Sequence, residues 1–209
     1  FLAKVKHVKI GDRIARLRYP ALKEFAPYPN GAIESIEFPS TLKEIRDIQL
    51  KIKNGKNLKE FPSLERLYYK ISVEEMPDSV FFPNIKVLSL GQYNYYHADG
   101  MFKEGMHVFI GEKIDTLTDM SNAFGIHLHF ASPTPPVMEG SYAYHYQLDN
   151  RSEFILHVPK GSANAYRNCF KDGGSKVTII EESVEITTIE LNQHVLELTN
   201  GDFYYLSTN

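Results

Sequence analysis

Residues 33–45 read Ile33-Glu-Ser-Ile-Glu-Phe-Pro-Ser-Thr-Leu-Lys-Glu-Ile45. Ile36 and Phe38 flank Glu37 in the alternation of a short strand with one buried face, and Pro39 punctuates its end. Leu42 and Ile45 then stand three apart, a spacing that suits either a second strand or a short helical turn returning along the outer side. The apolar-x-apolar opening of this unit recurs along the chain. It reads Val8-Lys9-Ile10, Ile36-Glu37-Phe38, Leu67-Tyr68-Tyr69, Leu88-Ser89-Leu90, Val108-Phe109-Ile110, Leu128-His129-Phe130 and Leu156-His157-Val158. Successive third positions lie 28, 31, 21, 20, 20 and 28 residues apart. A lone strand cannot bury its apolar face, so consecutive units are expected to stack as rungs of one parallel ladder about 4.8 Å apart, sharing one core.

The intervals fall in or near the range of about 20–29 residues for leucine-rich repeats, with some units enlarged by insertions. Residues 33–45 resemble the repeat of the BspA-like leucine-rich repeat family, whose usual pattern is L-x-x-I-x-I-P-x-x-V-x-x-I. Residues 126–182 carry a longer match. There HLHFASPTPPVM precedes the pair Ala143-Tyr144, then FILHVPKGSANAYRNCF and VTIIEE. This is similar to the family's terminal unit: a strand into Thr-Pro-Pro, a second strand into Val-Pro-x-Gly-Ser-x-x-x-Tyr, a short helix and a final strand. Phe124 and Tyr144 fill the family's aromatic slot. Ser162 is placed to N-cap a helix from Ala163 to Phe170, and Gly173 with Gly174 to stop it. Such a unit would shield the open edge of the last repeat. The resemblance implies a right-handed leucine-rich repeat solenoid over residues 1–183, with its cap at about 126–183. Residues 91–105 are Tyr-rich without a clear repeat, and 48–64 exceed a standard connection.

Residues 184–209 alternate apolar and polar residues and resemble the opening strands of a bacterial immunoglobulin-like domain. A sandwich of that kind needs about 100 residues. The segment is therefore expected to be either an incomplete domain or an extra hairpin on the end of the repeats.

Composition fits this reading. The chain has 209 residues, 43% of them hydrophobic, which suffices for a self-sufficient core. Lys+Arg 23 against Asp+Glu 26 gives a net charge of −3, so nucleic acid is not an expected partner. No run of about 18 apolar residues occurs, and no membrane insertion is expected within the chain. Cys169 is the one cysteine and has no partner for an internal disulfide. The chain begins at Phe1 and its earliest methionine is Met76, so an export signal or anchor is expected outside it.

The sequence contains no G-x-S-x-G, H-E-x-x-H, phosphate-loop or C-x-x-C motif. Glu74-Glu75 and Glu181-Glu182 are adjacent, and neighbours on a strand point apart, unlike a glycosidase pair facing across a cleft. The segment from Lys171 to Lys176 has the wrong spacing for a phosphate loop and is expected as a turn. No enzyme, cofactor or metal is assigned.

On a single ladder, residues flanking the buried sites form outward columns. One holds Lys9, Glu37, Tyr68, Ser89, Phe109, His129 and His157. The other holds His7, Ser35, Arg66, Val87, His107, His127 and Ile155. From them Lys9, Glu37, Arg66, Tyr68, Phe109, His107, His127, His129 and His157 are taken as a ligand-binding face. His107 is expected beside His127 and His129 beside His157, where imidazoles could share a transition ion, although a solvated polar face is the preferred reading. Two tyrosine clusters, Tyr93, Tyr95, Tyr96 and Tyr142, Tyr144, Tyr146, suit either stacking on a ligand or core packing. The resemblance implies an exported, cell-surface adhesion module, expected as a monomer, that binds an extracellular protein or glycan without catalysis. A passive structural spacer is the alternative.

Overall fold

The computed structural model describes residues 6–18, 33–46, 50–68, 71–90, 101–118, 125–139, 153–170, 176–182, 195–197 and 203–205. Most of the strands among these residues belong to three parallel sheets. Sheet I orders β1 (His7–Lys9), β3 (Ile33–Glu37), β5 (Leu50–Asn54) and β7 (Ile71–Glu75). Sheet II orders β15 (Lys176–Glu182), β14 (Glu153–Pro159), β12 (His127–Phe130), β10 (His107–Ile110) and β8 (Ser79–Phe82). Sheet III orders β13 (Val137–Glu139), β11 (Thr116–Thr118), β9 (Val87–Ser89), β6 (Arg66–Tyr68), β4 (Glu44–Arg46) and β2 (Arg16–Arg18). Through β13, the chain alternates between sheet III and sheet I or II, so each circuit adds a rung to both sides. The return element left open by the Leu42 and Ile45 spacing is therefore an extended strand. Among the described residues the one helix is α1 (Ala163–Phe170).

Both strands of a circuit send their middle apolar residues into one shared core. Ile36, Ile52 and Val73 come from sheet I, Val80, Val108, Leu128 and Leu156 from sheet II, and Ile45, Leu67, Leu88 and Leu117 from sheet III. Burial of these side chains drives the stacking, since a single circuit leaves both sides of its core open. Phe38, Phe61 and Phe82 continue it at the corners, with centroids 5.9 and 5.2 Å apart. Corner carbonyls are held by the following circuit: Thr41 Oγ1 donates to Asp12 O at 2.7 Å, Asn57 Nδ2 to Ile36 O at 2.9 Å, and Asn84 Nδ2 to Pro62 O at 2.7 Å. Gly111 is needed where rungs approach closely, because a Cβ there would lie 2.0 Å from Pro83 O.

The single ladder expected from the tripeptides is corrected. Val8-Lys9-Ile10 and Ile36-Glu37-Phe38 begin in sheet I, Leu67-Tyr68 and Leu88-Ser89 lie in sheet III, and the last three tripeptides lie in sheet II. The cause is physical: apolar-x-apolar marks any strand with one buried face, and each circuit contains at least two of them. Ile36 thus belongs to a strand that pairs with β5 rather than with Leu67. The enlarged circuits also have a reason. Between residues 50 and 90 each circuit passes three sides: β5, Glu60 and β6 in the first, then β7, β8 and β9 in the second, with Glu60 bridging to Phe81 of β8 at the start of sheet II.

The order read from residues 126–182 corresponds to β12, the Thr-Pro-Pro stretch, β14, α1 and β15, and the structure adds β13 directly after that stretch. Gly161 makes the turn into α1 at φ 85°, a region that suits glycine. Ser162 stands at the N-cap, and its carbonyl accepts from Ala165 N at 3.0 Å. Its hydroxyl, however, donates back to Pro159 O. The side chain that takes the first helix amide is Glu181, whose Oε1 accepts from Ala163 N at 2.9 Å and also from Gly161 N, in the preceding turn, at 3.1 Å. Tyr166 is fully buried in α1 and donates its hydroxyl to Ser132 O at 2.8 Å. Phe124, Tyr144, Gly173, Gly174 and both tyrosine clusters lie outside the described residues. Within 184–209, β16 (Val195–Glu197) and β17 (Phe203–Tyr205) form an antiparallel pair in a sheet of their own. Among the described residues no helix is long and apolar enough to cross a membrane.

Candidate functional site: the histidine face of sheet II

On sheet II the buried side chains of Val108, Leu128 and Leu156 fix the direction of their neighbours, because successive side chains on a strand alternate between faces. In-register pairing then sets two outward rows. One runs His107, His127, Ile155, Thr178, and the other runs Phe81, Phe109, His129, His157, Ile180. Rings on neighbouring parallel strands meet face to face. Phe81 stacks on Phe109 at 4.6 Å, Phe109 on His129 at 4.3 Å, and His129 on His157 at 3.9 Å, with interplanar angles of 7°, 18° and 11°. In the other row His107 stacks on His127 at 4.4 Å.

Hydrogen bonds join the rows diagonally. His107 Nδ1 lies 2.8 Å from His129 Nε2, and His127 Nδ1 lies 3.0 Å from His157 Nε2. Both chains converge on Glu182, at the far end of β15. Its Oε1 accepts from His157 Nδ1 at 2.6 Å, and His129 Nδ1 stands 3.6 Å away, an ion-pair rather than a hydrogen-bond separation. An ionised Glu182 dictates the proton positions. His157 carries its proton on Nδ1 and accepts at Nε2, so His127 donates from Nδ1, and the same order suits His129 and His107.

The surroundings oppose protonation of His127 and His129 beside an anchored anion. Burial, followed by the charges His107, His157 and His129 would carry, lowers the His127 pKa to about 4. Burial is also the leading cause that lowers His129, against the pull of Glu182. For Glu182, burial acts to raise the pKa, but the imidazoles of His129 and His157 outweigh it and hold the carboxyl at about 2. The donor atoms of His129, His157 and Glu182 all lie within 4.8 Å of one another. Their side chains are 14%, 12% and 23% exposed. The arrangement can hold a proton or a cation between three strands.

The structure brings together part of the expected binding face and separates the rest. His107, His127, His129 and His157 cluster, and both expected neighbour pairs are in register. Phe109, taken as a surface residue, is only 9% exposed because it is sandwiched in the ring stack. Lys9 and Glu37 pair with each other on sheet I at 3.2 Å. Arg66 and Tyr68 lie on sheet III, opposite Glu44 and Arg46. The two columns therefore persist only as pieces within each sheet. Sequence reasoning missed Glu182 in this role, along with Phe81. The signal for Glu182 was the separation of adjacent strand residues: Glu181 turns to α1 while Glu182 turns to the imidazoles.

Compared with protein-family models, with curated proteins and with solved structures, the chain gives no match in any of the three.

Proposed function

We propose that the chain is a leucine-rich repeat solenoid of the BspA-like kind, exported to the cell surface, and that it serves as a non-catalytic module binding an extracellular protein, with a glycan as the second choice of ligand. The observation that carries this reading is the outward side of sheet III. Arg46 and Arg66 are exposed there, and the Arg46 guanidinium carbon lies 4.9 Å above the Tyr68 ring. Both arginines and the tyrosine flank Ile45 and Leu67, which are buried in the core, so the strand backbone fixes their positions. A shelf of planar cation and aromatic face recognises carboxylates and other planar acceptors at low ordering cost. A wide surface on a stack of rungs needs no cleft.

Arrays of extracellular-matrix proteins and acidic glycans test the reading. Binding that is lost in Arg66→Ala and Tyr68→Ala, with unchanged circular dichroism, is the expected result. Silence on both arrays favours the second reading, a passive spacer. That alternative draws support from charges already paired between rungs: Lys9 with Glu37, Lys53 with Glu34, and Glu65 with both Lys43 and Lys86.

A further inference from the structure

The geometry points to a divalent transition-metal site built from His129 Nδ1, His157 Nδ1 and a carboxylate oxygen of Glu182, three donors supplied by the adjacent strands β12, β14 and β15. It is independent of the binding surface proposed on sheet III.

Three features carry it. The first is distance. A tetrahedral ion with bonds of about 2.0–2.2 Å keeps its donors about 3.3 Å apart. The separations from Glu182 Oε1, 2.6 Å to His157 Nδ1 and 3.6 Å to His129 Nδ1, bracket that value, so the donor spacing is already near that of a bound ion and the adjustment required is in ring orientation. The two rings stack with planes 11° apart, and they must tilt toward each other to aim both lone pairs at one ion.

The second feature is the outer layer. A histidine that binds a metal through one ring nitrogen is normally held by a hydrogen bond at the other. Both candidates already have that partner: His107 for His129 at 2.8 Å, and His127 for His157 at 3.0 Å. With an ion in place of the Nδ1 protons, each ligand ring carries its proton on Nε2 and donates to Nδ1 of the outer ring. The proton order reverses along both chains, and no nitrogen in these bonds is left unmatched. Four histidines in two linked pairs accommodate either order, which an isolated His-His-Glu group would not.

The third is donor chemistry. Two imidazoles and one carboxylate suit Zn²⁺, Co²⁺, Ni²⁺ or Cu²⁺, whereas Ca²⁺ and Mg²⁺ favour oxygen ligands alone. Three protein donors leave a position open for water, or for a donor atom from a bound macromolecule. Because the ligands sit at 129, 157 and 182, an ion there ties three successive rungs together at the end of the sheet.

Calorimetric titration of the whole chain with Zn²⁺ at pH 7.5, repeated with Co²⁺ followed by visible absorption, tests the site. The expected result is one ion per chain, a rise in Tm with Zn²⁺, and Co²⁺ bands of low coordination number. His157→Ala should lose this binding. Glu182→Gln, which keeps the side-chain shape, should weaken it by more than about 10-fold, and His127→Phe by about 10- to 100-fold through the outer layer. His7→Ala, on sheet I, should bind as the parent does. If His157→Ala fails to fold, Glu182→Gln decides. No heat beyond dilution, or binding unchanged in Glu182→Gln, overturns the proposal.

Discussion

Sheets I and II use the same parallel ladder to build opposite kinds of outer face. On sheet I the rungs carry charges of alternating sign, Lys9 on Glu37 and Glu34 on Lys53, and the Lys9 and Glu37 side chains stay 76% and 62% exposed. On sheet II the rungs carry rings, from Phe81 through Phe109 and His129 to His157, and the two phenylalanines are buried. In-register parallel strands place side chains about 4.8 Å apart, so whatever occupies one rung must tolerate its neighbour at van der Waals range. Opposite charges and stacked neutral rings both meet that condition. Only the second solution withdraws the side chains from water, because the imidazoles stack and hydrogen-bond to one another while His157 donates to the Glu182 carboxylate.

The comparison breaks most readily in the middle of the ring stack. Phe109→Ala removes the ring between Phe81 and His129, and should cost about 3–5 kcal/mol in urea denaturation, the range of a buried phenylalanine. An effect under about 1 kcal/mol would mean that the face is held from elsewhere.

Acid should separate the two sheets next. His127 has a folded pKa of about 4 against an ordinary 6.5, so between those values the unfolded chain binds more protons and stability falls as the pH drops. The ring is partly exposed, so screening limits this to on the order of 1 kcal/mol. Glu182, held at about 2, adds a further loss as the pH falls from about 4.5 toward 2. Its stabilisation is fully present above 4.5. Urea midpoints measured from pH 7 to pH 3 should show the first loss in the parent and a flatter profile in His127→Phe, whose ring stacks without titrating.

The smallest effect belongs to sheet I. Lys53 hydrogen-bonds Glu34 at 2.8 Å and lowers its pKa, yet the pair is solvent-exposed. Lys53→Ala should shift the unfolding midpoint only slightly in low salt and not measurably at 0.5 M, where the Debye length is about 4 Å. A large shift that survives high salt would place sheet I among the structural faces.

Sequence periodicity made the parallel rungs legible, and within sheet II it gave the pairing as well. The steps from Val108 to Leu128 and from Leu128 to Leu156 each stay in one sheet, so His107 beside His127 and His129 beside His157 could be read directly. From Ile36 to Leu67 the same arithmetic crossed from sheet I to sheet III. A buried-face tripeptide reports alternation but carries no label for the side of the circuit it occupies. The terminal segment was readable because Pro, Gly and Ser impose backbone choices at 159, 161 and 162, and α1 begins where they require. Glu182 was not readable as a site residue. Its partners come from β12 and β14, and only the register of β15, Pro159 opposite Glu182, brings it beside His157.

Glu181 and Glu182 are consecutive, yet one grips the helix on one side of the last strand while the other grips the rings on its opposite side. Detaching β15 would thus undo both fastenings in a single event, leaving α1 without its carboxylate cap and the imidazoles without their anion. The final rung should open as one latch, with the amides of β15 and the first turn of α1 exchanging their hydrogens together.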